Sequence, residues 1–99
     1  MEQKPMKQPT SMQIKAKDET LSGTYANAAQ VQHTKEEFVL DFMSIFPPVG
    51  TLNSRVIMSP GHFKRMILAM QDNIQKYENK FGAIDEAQGP KYEHGFPIK

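Results

Sequence analysis

Cysteine is absent from this 99-residue chain, which excludes a disulfide framework, a thiolate nucleophile and a thiolate metal site. Long apolar runs are absent too. Nothing approaches the length of a membrane span, and the N-terminus has no apolar stretch of the signal-peptide kind, so a cytoplasmic location is expected. An excess of one charge is also missing. Twelve Lys and Arg stand against eleven Asp and Glu, for a formal net charge of +1. Residues 1–20 carry four Lys against three acids, 21–82 six basic residues against five acidic, and 83–99 two against three. No segment is a basic arm, so an electrostatic footprint for nucleic acid is lacking. There is no polybasic or lipidation signal for a membrane surface either.

Apolar residues make up 38% of the chain, which is low for a packed globule. The deficit lies at the ends. Residues 1–11 and 85–99 hold four of the seven prolines and few aliphatic side chains. Such segments bury too little apolar surface to offset the entropy of ordering, and are expected to be disordered or flexible tails. One domain over 12–84 remains. A domain of that size is marginally stable alone and gains from a partner surface.

Within that domain, Met12–Lys17 alternates apolar with polar residues and reads as an edge strand, its lysines discouraging unwanted pairing. Gly23 separates it from Thr24–His33, where Tyr25, Asn27, Ala29 and Val31 share one face at period two. Thr34-Lys35-Glu36 reads as a tight reversal. Glu37–Phe46 is the strongest strand pattern. Phe38, Leu40, Phe42 and Phe46 fall on one face, and Val39, Met43 and Ile45 on the other with Asp41 among them. A sheet with one wet face alternates more cleanly than this, so both faces of the strand are expected to meet something. Pro47-Pro48-Val49-Gly50 ends it, and Leu52–Met58 returns as a further strand.

Ser59-Pro60 then opens a helix, serine as N-cap and proline at the first helical position. Phe63, Met66, Ile67, Met70, Ile74, Tyr77 and Phe81 follow as an apolar stripe at helical period. Gly82 suits a left-handed C-cap. Burying that stripe is worth about 10–20 kcal/mol gross, as an upper bound. One helix covers one face of the meander, and no second helix exists for the other. A second copy of the chain is the simplest cover. Phe38, Phe42, Val39, Met43 and Ile45 are therefore the expected oligomer interface, in a dimer first and a tetramer second.

Residues with chemical potential are few. His33, His62 and His94 show no metal-ligand spacing, and no cofactor is implied. Ser59, His62, Lys64 and Arg65 at the helix start, joined by Arg55, form a candidate anion site, although no glycine-rich phosphate loop precedes them. The bland reading is a solvated helix start. Asp41 has a choice between general base with a raised pKa and structural partner of Arg55, and pairing is favoured. Asn27 reads as a turn or bulge device. Met43, Met58, Met66 and Met70 are ordinary core or an adaptable surface for apolar segments. Gly95-Phe96-Pro97-Ile98 is a candidate short linear ligand.

Tyr25-Ala26-Asn27, Glu37-Phe38-Val39-Leu40-Asp41-Phe42 and Arg55–Pro60 appear together. They lead into His62, Lys64-Arg65, Gln71-Asp72-Asn73-Ile74, Tyr77-Glu78 and Phe81-Gly82. This set resembles a family of small bacterial proteins known only as a domain of unknown function, over roughly residues 20–84. The resemblance implies no activity, cofactor or catalytic residue. In topology alone, a meander followed by one long helix is similar to the SecB-like export chaperones, without any SecB sequence motif.

The expected fold is therefore α+β: an antiparallel meander of three to four strands, then one long C-terminal helix packed on one face. No nucleophile with a base, no paired carboxylates and no metal set assemble from the residues. The expected function is a non-enzymatic, homo-oligomeric structural or protein-interaction module. A SecB-like chaperone for apolar peptide segments is the alternative, and a weak nucleic-acid or anion binder the second. The partner expected is the chain itself, with another protein next.

Overall fold

The computed structural model describes residues 11–88. Five elements follow in order: α1 (Asp18–Ser22), β1 (Ala28–His33), β2 (Phe38–Phe46), β3 (Val49–Met58) and α2 (Pro60–Phe81). The strands form one antiparallel sheet in the order β1-β2-β3, so the central strand is the one with apolar residues on both faces. The tails expected at 1–11 and 85–99 lie mostly outside the described residues, as does the candidate ligand at Gly95–Ile98. Residues 85–88 are exposed and carry no regular structure.

The β1–β2 reversal is closed by Thr34. Its amide donates to the Glu37 carbonyl at 2.9 Å, and its Oγ1 accepts from the amides of Glu36 and Glu37 at 3.1 and 3.2 Å. At the other end of β2 only the two prolines form the turn. Val49 and Gly50 already pair with Phe46 and Ile45, so β3 begins earlier than Leu52. Prolines 47 and 48 are tolerated because a two-residue loop needs no ladder donor from either.

Residues 12–17 are not a strand. They pair with no strand, and Met12 and Ile14 are 75% and 84% exposed. Alternation makes a segment fit for a sheet, but the edge offered must also win. Here Asp18 and Glu19, acids placed where a helix N-terminus favours them, start the single turn of α1. Gly23, at φ +83°, ends that turn.

Helix α2 has the expected bounds. Ser59 accepts from the His62 amide at 3.2 Å and Pro60 is the first helical residue. Gly82 closes the helix with its amide on the Glu78 carbonyl at 2.9 Å. Its φ of +102° calls for glycine, but a ψ of 169° puts it outside the left-handed helical cap anticipated.

The packing of α2 departs from expectation. Its first turns rest on the sheet, where Phe63 stacks on Phe38 with ring centroids 4.1 Å apart and planes within 8°, and Met66 is half-buried. Beyond Met66 the helix runs off the sheet, and no side chain along it is buried. Twenty-two helical residues span about 33 Å, and of the apolar stripe along them only Phe63 and Met66 are half-buried.

Candidate functional site

Alternation along β2, carried through the register, sorts the sheet into two unlike faces. On the first, Phe38, Leu40 and Phe42 lie in rows with His33, Val31 and Ala29 of β1 and with Met58, Val56 and Ser54 of β3. Leu40 is 6% exposed, whereas Val31 and Val56 flanking it remain open. This is the face on which α2 begins.

The second face carries a polar row through its middle. Asp41 is paired in register with Gln30 on one side and Arg55 on the other. Arg55 donates twice, Nε to Oδ1 at 2.6 Å and Nη2 to Oδ2 at 3.0 Å, the bidentate geometry that suits guanidinium and carboxylate. The Asp41 side chain is 0% exposed while that of Arg55 keeps 48% of its surface in solvent. Hydrogen bonds from Arg55 outweigh the opposing effect of desolvation. Together with the Arg55 charge and a hydrogen bond from Gln30, they hold the Asp41 carboxyl below its ordinary range. The same partner raises Arg55. A general base needs the opposite shift, so Asp41 is a structural anion. The row is flanked by Val39 and Ile57, and by Met43 (3% exposed) and Leu52.

The interface residues expected from the sequence are thus divided. Phe38 and Phe42 belong to the helix-bearing face and are half-buried; Val39, Met43 and Ile45 belong to the other. Ile45 lies over Gly50, where an added Cβ would meet its Cδ1 at 2.7 Å.

A second polar cluster closes the turn end of the sheet. The Asn27 side chain acts as one more strand residue: its Oδ1 accepts from the Ile45 amide at 2.8 Å and its Nδ2 donates to the Ile45 carbonyl at 2.9 Å. A register shift between Phe42 and Met43 leaves Asn53 as the extra residue of β3. Asn53 Nδ2 donates to the Tyr25 carbonyl and to Ser44 Oγ, both at 2.8 Å, and Ser44 Oγ donates to the same carbonyl at 2.5 Å. The Tyr-Ala-Asn triplet is therefore a clasp that ties the approach segment to β2. The roles of Ser44 and Asn53 were not legible, because nothing local marks a bulge between alternating residues.

The candidate anion site does not converge. Ser59 is used as the helix cap, and Arg65 Nη2 meets His62 Nδ1 at 2.7 Å. Arg55 is committed to Asp41 on the opposite face of the sheet from Phe38 and Phe63. Only Lys64 and Arg65 remain as neighbouring cations there. Among the described residues no group of His, Asp or Glu is placed to hold a metal, and no helix is long and apolar enough to cross a membrane.

What remains conspicuous is the α2 stripe. Ile67, Met70, Ile74, Tyr77 and Phe81 are all exposed, Phe81 at 65%. The Ile84 amide donates to Glu78 Oε2 at 2.9 Å and folds the outgoing chain beside the helix. A shallow groove results, lined by Ile74, Tyr77, Phe81 and Ile84 with Lys76 and Lys80 at its edge.

Fold and surface together define a small meander-plus-helix α+β domain that satisfies its own polar groups but not its apolar ones. The chain belongs to the family described as protein of unknown function (DUF3467), whose model matches residues 1–86. No curated protein matches the chain, and no solved structure does.

Proposed function

We propose that this protein is a non-enzymatic, self-associating structural or interaction module, with its own second copy as first partner. The observation that supports this reading is the unburied stripe of α2. A helix of this length with five large apolar residues in water gains little from propensity alone, and helices in proteins draw most of their stability from a packed face. Among the described residues of one chain only Leu40 and Met43 are buried apolar residues, too small a core for a domain of this size. A second copy supplies the missing surface without any further gene product.

The test is absolute mass in solution, by light scattering on a sizing column across a hundredfold range of concentration. The expected result is at least twice the chain mass of 11.3 kDa at micromolar concentration. A mass of one chain throughout would overturn the reading.

A second reading, a chaperone in the manner of SecB, is favoured by the open groove of Ile74, Tyr77, Phe81 and Ile84. It requires that apolar surface stay open after assembly. At stoichiometric amounts the protein would then slow aggregation of an unfolded client, and absence of that effect would dismiss it.

A further inference from the structure

The spacing of the α2 stripe is more specific than helical amphipathicity requires. Phe63, Ile67, Met70, Ile74, Tyr77 and Phe81 are separated by four, three, four, three and four residues. That is the a/d pattern of a coiled-coil seam, with Ile67, Ile74 and Phe81 at a and Phe63, Met70 and Tyr77 at d. Met66, half-buried at the sheet end, and Leu68, 61% exposed, are the further large apolar residues of the helix, at g and b. The polar contacts within the helix lie off the seam. Lys76 pairs with Asp72 at 3.0 Å and Gln75 with Asn79 at 3.1 Å, all four at b, c or f positions.

Charge then selects a direction. The first turn of α2 has no acid; instead His62, Lys64 and Arg65 crowd the end where the helix dipole is positive, and Glu78 lies near the end where it is negative. These placements are unfavourable in a lone helix, whereas Lys80 in the last turn sits where the dipole favours it. The basic start and Glu78 both become favourable if a second α2 lies alongside in the opposite sense. The basic start of one helix then meets the negative end of the other. In that arrangement residues mirror about Asp72, so Phe63 layers with Phe81 of the second copy, Ile67 with Tyr77, and Met70 with Ile74. At the flanks Lys64 faces Glu78 of the second copy, twice over by symmetry. A parallel pair would set Met66 against Gln71 and Asn73 against Glu78, with no opposite charges. It would also align the two dipoles.

We infer that two copies of this chain join through an antiparallel pairing of their α2 helices, centred near Asp72, with Ile67, Met70, Ile74 and Tyr77 as the seam and Lys64–Glu78 as the flanking pairs. This rests on the self-association proposed above and names the joint. The pairing brings Phe81 of one copy beside the Phe63–Phe38 stack of the other, so the seam continues onto the open Val31 and Val56 surface of the sheet.

The chain has no cysteine, so single labels can be placed at will. Arg65, Asp72 and Asn79 all occupy the outer f position. Spin labels on Arg65→Cys, Asp72→Cys and Asn79→Cys, read by dipolar spectroscopy on the full chain, measure separations between copies. The antiparallel joint gives the shortest separation at 72, with an added axial offset of about 21 Å at 65 and at 79, from fourteen residues of rise. Equal separations at all three sites would mean a parallel pair and overturn the direction. No measurable separation in a sample whose mass is dimeric would overturn the helix joint and leave self-association standing; a monomeric mass would end both. As a second arm, Lys64→Glu alone weakens dimerisation roughly tenfold, from two exposed pairs turned repulsive. Mixing it with Glu78→Lys restores it. Unchanged affinity in the single variant would remove the flanking pairs.

Discussion

The sheet and the helix of this protein solve opposite problems. The sheet is internally complete: Asp41 has Arg55 and Gln30, Asn27 has the Ile45 backbone, and Ser44 and Asn53 have the Tyr25 carbonyl. Among the described residues no buried side-chain polar atom lacks a partner. The helix is complete in its backbone and caps but leaves its apolar stripe in water. The contrast teaches that polar satisfaction and apolar burial are separate requirements. A three-stranded layer meets the first with cross-strand rows, while the second needs a second layer, which one long helix running off the sheet does not supply.

Four changes would break or sharpen that contrast. The largest effect belongs to Leu40→Ala, which removes one of the two buried apolar side chains among the described residues. It should cost about 2–5 kcal/mol of unfolding free energy and is read from urea midpoints at fixed protein concentration. Next is Asn27→Ala, which strands the Ile45 amide and carbonyl at the end of β2. A loss of about 1–3 kcal/mol is expected, and a loss near zero would mean that water replaces the clasp. Ser59→Ala removes the α2 cap and should cost about 1 kcal/mol, with less helical circular dichroism.

The smallest change is a matter of pH. Because the folded state lowers the Asp41 pKa, its contribution to stability is fully present above the ordinary aspartate value of about 3.9. It is lost as pH falls from there through the depressed folded value. Arg55 stays charged throughout. Unfolding midpoints measured between neutral pH and about pH 2 should therefore decline more steeply in the native chain than in Asp41→Asn. Parallel declines would mean that the Asp41–Arg55 row contributes no pH dependence.

Much of this fold was legible because its signals are local. Ser59-Pro60 and Gly82 bracket α2, the threonine reversal precedes β2, and an acid within an apolar strand points to a basic partner one strand away, which is Arg55. What could not be read depends on competition between distant parts. Residues 12–17 alternate as a strand does, yet lose to the helical turn started by Asp18 and Glu19. The stripe from Phe63 to Phe81 states which side of α2 needs cover, but periodicity carries no information about what covers it. Only the exposure of Ile67, Met70, Ile74, Tyr77 and Phe81 in the folded chain reveals that the described residues leave that side open. The divided interface residues have the same origin: Phe38 meets Phe63 at the helix start of its own chain, and Met43 is already buried within its own chain.

The central claim is that the sheet is held by its own chain and the helix by a second copy. Amide hydrogen exchange followed along the chain at high and low protein concentration tests it most directly. Protection over Phe38–Phe46 should change little on dilution, while protection over Ile67–Phe81 should fall as the mass drops to that of one chain. Helix protection that is independent of concentration in a sample of falling mass would contradict it.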